Sequence, residues 1–286
     1  MEIIVGKNAG FCYGVKNAVD NATKELDSSK EVCCLGEIVH NSKVVKELED
    51  KGMKFIDNLS ENTGKCKTII RAHGVPKAIY EEADKKGIEL VDLTCPKVLK
   101  IHKIVSEYAE KDYFIFLVGN KVHPETLGTA SFCGLNSCII EQESDIDDAI
   151  NEFDCSKKDN LLVVVQTTFS MEKFDNYIEY IKSKINDNTN LEVINTICNA
   201  TKIRQEETEE MSKQVDFMII IGGKNSSNTK KLYEISCKNC KKVICIEDKT
   251  EMNLTELEGV NKIGIMAGAS TPQKSVDEVV DLLKNT

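Results

Sequence analysis

The chain has 286 residues, 41% of them hydrophobic, which is enough to bury a sizeable core. Its 37 Lys and Arg against 47 Asp and Glu give a formal charge of -10, which opposes binding of a phosphate backbone and sets nucleic acid aside as a partner. The start, Met1 to Gly6, has neither the basic residues nor the apolar stretch of an export signal, and runs such as 113–118 and 161–165 are strand-sized rather than the roughly 18 to 20 residues of a membrane span. The expectation is a cytoplasmic protein with no membrane partner, whose 12 cysteines serve as thiols or metal ligands rather than as a disulfide framework.

Short β-branched runs bounded by Gly, Asn, Ser or Thr alternate with stretches of helical period, the pattern of parallel α/β units. Strands are expected at Ile3–Val5, Val32–Leu35, Thr68–Arg71, Glu89–Leu93, Tyr113–Val118, Leu161–Gln166, Leu191–Ile194, Phe217–Ile221, Lys242–Cys245 and Lys262–Met266. Three strands run toward a cysteine that opens a helix: Cys12 after a longer loop, then Cys95 and Cys198. A glycine loop follows each at the same offset, so that His40, His123 and Ser226 each lie 28 positions after their cysteine. A third loop closes each unit, at 71–76, 166–170 and 267–272. The cysteines are 83 and 103 positions apart, too far for a solenoid repeat and right for domain-sized copies.

The expected fold is therefore α/β, three similar parallel-sheet α/β domains in a pseudo-threefold trefoil around a central metal cluster. The units are residues 13–96, 97–194 and 195–286, the last completed by an N-terminal strand within 1–12. In parallel sheets ligands gather beyond the carboxyl ends of strands, where all these loops lie.

Three converging thiolates can bind zinc or an iron-sulfur cluster, and spacing alone does not choose between them. A structural zinc site is normally closed by four ligands, so Cys12, Cys95 and Cys198 with no fourth equivalent favour a cubane cluster with one open iron. Each alone could equally be a buried thiol; the shared offset argues otherwise. Cys237, Cys240 and Cys245 have a suggestive spacing but no second pair and no nearby histidine, while Cys33, Cys34, Cys66, Cys133, Cys138 and Cys155 read as core or surface thiols. His40, His73 and His123 occupy the repeated loops and, with Ser226, Ser227, Asn228 and Ser270 near helix starts, can bind the oxygens of an anionic, phosphorylated substrate. Serines cap helices routinely, and for Ser226, Ser227 or Ser270 taken alone capping is the better account. His102, within the helix after Cys95, reads as a solvated helical residue. Glu125 at a helix start is either a first-turn acid or a proton donor, and its company of Gln166, Thr167 and Thr168 favours the second.

With these residues in place the sequence resembles the 4-hydroxy-3-methylbut-2-enyl diphosphate reductase family, which closes the non-mevalonate isoprenoid pathway. The resemblance spans Gly10-Phe11-Cys12-Tyr13-Gly14-Val15, Leu35-Gly36-Glu37-Ile38-Val39-His40-Asn41, Arg71-Ala72-His73-Gly74-Val75 and Asp92-Leu93-Thr94-Cys95-Pro96. It continues through Val122-His123-Pro124-Glu125, Gln166-Thr167-Thr168, Asn195-Thr196-Ile197-Cys198, Asn225-Ser226-Ser227-Asn228 and Gly268-Ala269-Ser270-Thr271-Pro272. It implies a 4Fe-4S cluster on Cys12, Cys95 and Cys198, with the hydroxyl of an allylic diphosphate on the open iron. It also implies that His40, His73, His123, Ser226, Ser227, Asn228 and Ser270 hold the diphosphate, and that Glu125 with Thr167 or Thr168 supports protonation. The implied products are isopentenyl and dimethylallyl diphosphates, and the implied electron donor is a ferredoxin or flavodoxin. Two rivals remain at this stage: a quinolinate synthase-like cluster enzyme, which lacks a diphosphate substrate, and a redox- or iron-sensing binding protein.

Overall fold

The structure, a computed structural model, describes residues 1–28, 31–62 and 66–285. Among the described residues, strands form three four-stranded sheets in which every pairing is parallel. The chain falls into two compact units, Asn17–Ile38 with Lys51–Ile197, and Met1–Lys16 with Val39–Asp50 and Cys198–Thr286.

The larger unit holds two of the sheets. One is ordered β3 (Lys54–Ile56), β2 (Val32–Leu35), β4 (Lys67–Ile70), β5 (Leu90–Asp92), and the other β7 (Ser137–Ile140), β6 (Phe114–Val118), β8 (Asn160–Val165), β9 (Asn190–Ile194). Every residue of β6 is buried, as a central parallel strand covered on both faces demands. Successive side chains point to opposite faces. Phe114, Phe116 and Val118 therefore pack with α6 (Ser144–Ser156) and α7 (Met171–Lys184), while Ile115 and Leu117 meet Ile101 and Val105 of α4 (Pro96–Glu110).

The smaller unit holds the remaining sheet, ordered β1 (Glu2–Val5), β12 (Lys262–Ala267), β10 (Phe217–Ile221), β11 (Lys242–Ile246). Phe217, Ile219 and Ile221 face α10 (Gln273–Lys284), and Met218 and Ile220 face Met211 of α8 (Asn199–Ser212) and Leu232 of α9 (Ser227–Asn239). Its topology repeats that of the other two, with one difference: the fourth strand, β1, comes from the start of the chain and pairs Glu2–Val5 with Lys262–Ile265.

All ten expected strands are present, most shifted by a residue at an end. Two more, β3 and β7, were not expected from the sequence. Both lie on sheet edges and are short and partly exposed, so Lys54-Phe55-Ile56 and Ser137-Cys138-Ile139-Ile140 lack a long apolar run. β8 ends at Val165, so Gln166 belongs to the following loop rather than to the strand.

One expectation is overturned. His102 is not solvated: it is only 5% exposed, its ring stacked on Phe132 with centroids 4.4 Å apart. Val98, Ile101, His102 and Val105 recur at helical spacing along the buried stripe of α4, and His102 simply falls within it. Burial pushes its pKa from 6.5 down to about 4. The folded protein then holds the imidazole neutral while the unfolded chain binds a proton below 6.5, so this contribution to stability is complete above that pH and is lost as pH falls toward 4. Replacing His102 by Leu is expected to reduce the loss of stability between about pH 7 and about pH 5, measured as urea midpoints; equal losses in both proteins would contradict the assignment.

Candidate functional site

In the larger unit the loops leaving the carboxyl ends of neighbouring strands β6 and β8 meet. His123 caps α5 (Pro124–Ala130), its Nδ1 accepting the Glu125 N–H at 3.1 Å. That leaves Nε2 to carry the proton of the neutral ring. Pro124 occupies the first helical position, where its missing N–H costs little and its fixed φ suits the turn. This entry angle buries the next side chain, and Glu125 is only 2% exposed. Both carboxyl oxygens are taken by one residue of the β8 loop: Thr167 donates its N–H to Oε1 at 2.6 Å and its hydroxyl to Oε2 at 2.7 Å. Burial pushes the Glu125 pKa above the ordinary carboxylate range, and the two bonds from Thr167 pull it the other way.

Of the two threonines, Thr167 is the one bonded to Glu125. Thr168 does a different job, its hydroxyl accepting the Gln166 side-chain amide at 3.0 Å. The Gln166 carbonyl in turn accepts the Asn120 N–H at 3.0 Å and the Thr126 hydroxyl at 3.3 Å, which ties the two loops together. His73, beyond β4, lies edge-on to His123 with ring centroids 5.3 Å apart. Cys95, beyond β5, stands immediately before α4 without a side-chain capping bond and donates its N–H to the Ala72 carbonyl at 2.9 Å.

In the smaller unit, loops beyond β1, β10 and β12 carry Cys12, Ser226 and Ser270, and the segment 39–50 brings His40. Ser270 donates its hydroxyl to the His40 carbonyl at 3.1 Å. A Cβ on Gly223 would lie 2.5 Å from that same carbonyl oxygen, so only glycine admits the approach. Ser226 caps α9 through its hydroxyl, and Ser227 opens the helix, so the capping account of these serines holds for Ser226. Asn228 differs. It is 2% exposed, yet neither its Oδ1 nor its Nδ2 has a hydrogen-bond partner. A buried, unsatisfied amide costs about 1–3 kcal/mol unless something else bonds to it.

The cysteines divide by surroundings. Cys34 and Cys133 are buried and their thiols pushed up to about 12 by desolvation, as is Cys138 beside Glu152, so they stay protonated. Cys240 is buried and donates to the carbonyls of Val215 and Lys242, while Cys237 is exposed. Cys12, Cys95 and Cys198 are each half-buried and each immediately precede a helix, α1 (Tyr13–Ser28), α4 and α8. The Cys12 thiol accepts the Val15 N–H at 3.5 Å, and Arg204 places its positive charge near Cys12 and Cys198. Accessible sulfurs on loops at helix starts fit the ligands of a soft metal cluster.

Arg204 is not among the residues expected at the site from the sequence. A signal was present: Thr201, Arg204, Gln205 and Thr208 recur at helical spacing where an apolar stripe would be expected, and all four are buried.

The arrangement is that of an α/β protein whose polar and thiol side chains sit on loops beyond the carboxyl ends of parallel strands. Residues 3–284 match the family model described as LytB protein. The chain is 42% identical over 289 positions to the 4-hydroxy-3-methylbut-2-enyl diphosphate reductase of Caldanaerobacter subterraneus subsp. tengcongensis, covering 100% of this chain and 97% of that one. It is 40% identical to the protein of the same name from Clostridioides difficile, with 100% of both chains covered. Among solved structures it resembles the E-1-hydroxy-2-methyl-but-2-enyl-4-diphosphate reductase from Plasmodium falciparum, with a TM-score of 0.91, 32% identity, and 99% of this chain and 88% of that one covered. A structure of (E)-4-hydroxy-3-methyl-but-2-enyl diphosphate reductase, described as the terminal enzyme of the non-mevalonate pathway, matches with a TM-score of 0.72, 37% identity and 100% of both chains. The chain belongs to the LytB protein family.

The orphaned amide yields a prediction. Asn228→Ala is expected to raise the stability of the ligand-free protein by about 1 kcal/mol while weakening diphosphate binding at least about tenfold, read by thermal denaturation and by titration with substrate. A variant that is destabilised and binds normally would show that the amide serves the fold.

Proposed function

We propose that this chain reductively removes the hydroxyl of 4-hydroxy-3-methylbut-2-enyl diphosphate, giving isopentenyl and dimethylallyl diphosphates. Two electrons and two protons enter, the carbon–oxygen bond breaks, and the hydroxyl leaves as water. The observation that carries the reading is the water-excluded Glu125, held at both oxygens by Thr167. Membership of the LytB family and full-length likeness to named reductases support it.

Cys12, Cys95 and Cys198 are the residues to hold a 4Fe-4S cluster; of the expected units 13–96, 97–194 and 195–286 with 1–12, the first supplies Cys95 and the last supplies Cys12 and Cys198. When bound, the cluster supplies a Lewis-acidic iron and a path for electrons, which a ferredoxin or flavodoxin would deliver. The chain's own residues do the rest. His40, His73, His123, Ser226, Ser227, Asn228 and Ser270 bind the diphosphate, contributing affinity remote from the reacting carbon. Asn228 contributes an amide already stripped of water and bonded to nothing in the protein, so its bonds are available to phosphate oxygens. His123 donates from Nε2 because its other nitrogen is occupied by the Glu125 N–H. Glu125, its proton held by burial, delivers that proton to the substrate, and Thr167 fixes the carboxyl plane while moderating the rise in pKa. No described helix is long and apolar enough to cross a membrane, in keeping with a cytoplasmic site of action.

Turnover of the allylic diphosphate with a low-potential reductant tests this directly. Glu125→Gln is expected to keep its iron and lose at least about 99% of turnover, a general-acid effect of at least about 100-fold, whereas Cys95→Ser loses cluster and activity together. A fully active Glu125→Gln enzyme would remove the proton-donor role, and an iron-replete, active Cys95→Ser enzyme would remove that ligand. Thr167→Val deletes a bond that stabilises the carboxylate, so the Glu125 pKa should rise further and the alkaline limb of the pH–turnover profile should move to higher pH. An unmoved limb would place the titration elsewhere.

A further inference from the structure

The three cysteine loops are not braced in the same way. In two of them a side-chain oxygen three residues before the cysteine folds the loop on itself: Asp92 Oδ1 accepts the Thr94 N–H at 2.9 Å ahead of Cys95, and Asn195 Oδ1 accepts the Ile197 N–H at 3.0 Å ahead of Cys198. Such local turns hold a backbone without outside help. The corresponding position ahead of Cys12 is Ala9, which has no such group, and the loop from β1 to Cys12 is the longer one.

Its brace comes from α8, the helix that Cys198 heads. Glu207 accepts the Lys7 N–H at 2.6 Å and both the backbone and side-chain N–H groups of Asn8, at 3.1 and 2.9 Å. One turn earlier Arg204 donates Nη2–H to the Gly10 carbonyl at 2.7 Å and Nη1–H to the Ala200 carbonyl at 2.9 Å. Gly10 has φ 102, a left-handed conformation that glycine tolerates and other residues rarely adopt. The two carbonyls lie two residues before Cys12 and two residues after Cys198.

Arg204 is 4% exposed, and its Nε has no partner. Burial acts to lower its pKa, opposed first by Cys12, then by Cys198 and Glu207, and a guanidinium in a protein stays charged. A lysine has no fork with which to reach two carbonyls at once.

We infer that Arg204 is a positioning residue for the cluster ligands: it ties the Cys12 loop to the first turn of the Cys198 helix, and its buried positive charge, bonded two residues away from each cysteine, favours the reduced cluster. The inference rests on the proposal that these cysteines hold the cluster and adds a residue that touches neither iron nor substrate. A fixed positive charge in a poorly solvated site stabilises the state carrying the extra electron.

The test compares oxygen-free wild-type protein with Arg204→Gln and Arg204→Lys. Two quantities are read: the cluster's midpoint potential, followed by absorbance in a redox titration, and the rate at which a chelator removes iron. Arg204→Gln should lower the reduced-to-oxidised ratio at a fixed potential at least tenfold, about 59 mV for one electron, and release iron faster. Arg204→Lys should keep that ratio within about threefold of wild type yet also release iron faster, because charge is retained and the fork is not. If the Gln protein fails to retain iron, the Lys protein decides: wild-type iron release from it overturns the inference. Wild-type potential and iron release in both variants would likewise overturn it while leaving the cluster reading intact, whereas wild-type protein devoid of iron would overturn the cluster reading itself.

Discussion

The hydrogen bonds between Glu125 and Thr167 join two loops that exist only because β6 and β8 run parallel and side by side. Parallel pairing sends both strands toward the same edge, and their fully buried residues fix register, since a slip of one residue would turn Phe114, Phe116 and Val118 away from α6 and α7. The loops after Val118 and Val165 then start from fixed points. Pro124 and the His123 cap set how the first loop enters its helix, and the carboxyl group is delivered to the Thr167 N–H and hydroxyl. Each link is local, but the whole depends on the strand pair.

The same logic accounts for groups that a stability criterion alone would remove. Glu125 gives up hydration for two hydrogen bonds, Asn228 gives it up for none, and Arg204 leaves its Nε unsatisfied. Each costs on the order of 1–3 kcal/mol of folding free energy, a burden that continuous apolar strands such as Phe217–Ile221 can carry. What that burden supplies is preorganisation. On the proposed reading, a carboxyl and an amide that are already dry need little rearrangement when the diphosphate arrives, while the buried cation holds the cysteine loops.

Much of this was legible in the sequence because parallel strands buried on both faces leave long apolar runs, and because glycine and polar loops mark their carboxyl ends. Cys12, Cys95 and Cys198 stood out through the 28-residue offset to the next loop rather than through any local motif. The edge strands β3 and β7 were not legible, since a strand paired on one side needs few apolar residues. His102 was misjudged because a histidine among lysines looks solvated until the stripe Val98, Ile101, Val105 is followed through it. The separate duties of Thr167 and Thr168 depend on which way two adjacent side chains point, which spacing does not encode. Arg204 was hidden by its ordinary appearance as a helical cation, although the polar stripe on its face marked it.

The central claim is that the cluster is a reaction centre and not a sensor or a structural plug. The direct measurement is the absorbance of the anaerobically reduced wild-type cluster before and after adding the allylic diphosphate with no further reductant. The account predicts rapid reoxidation with about one allylic diphosphate converted per two electrons withdrawn, since removal of a hydroxyl as water is a two-electron reduction that only a redox cofactor supplies. A reduced spectrum that persists in the presence of substrate, with no diphosphate product formed, would contradict it.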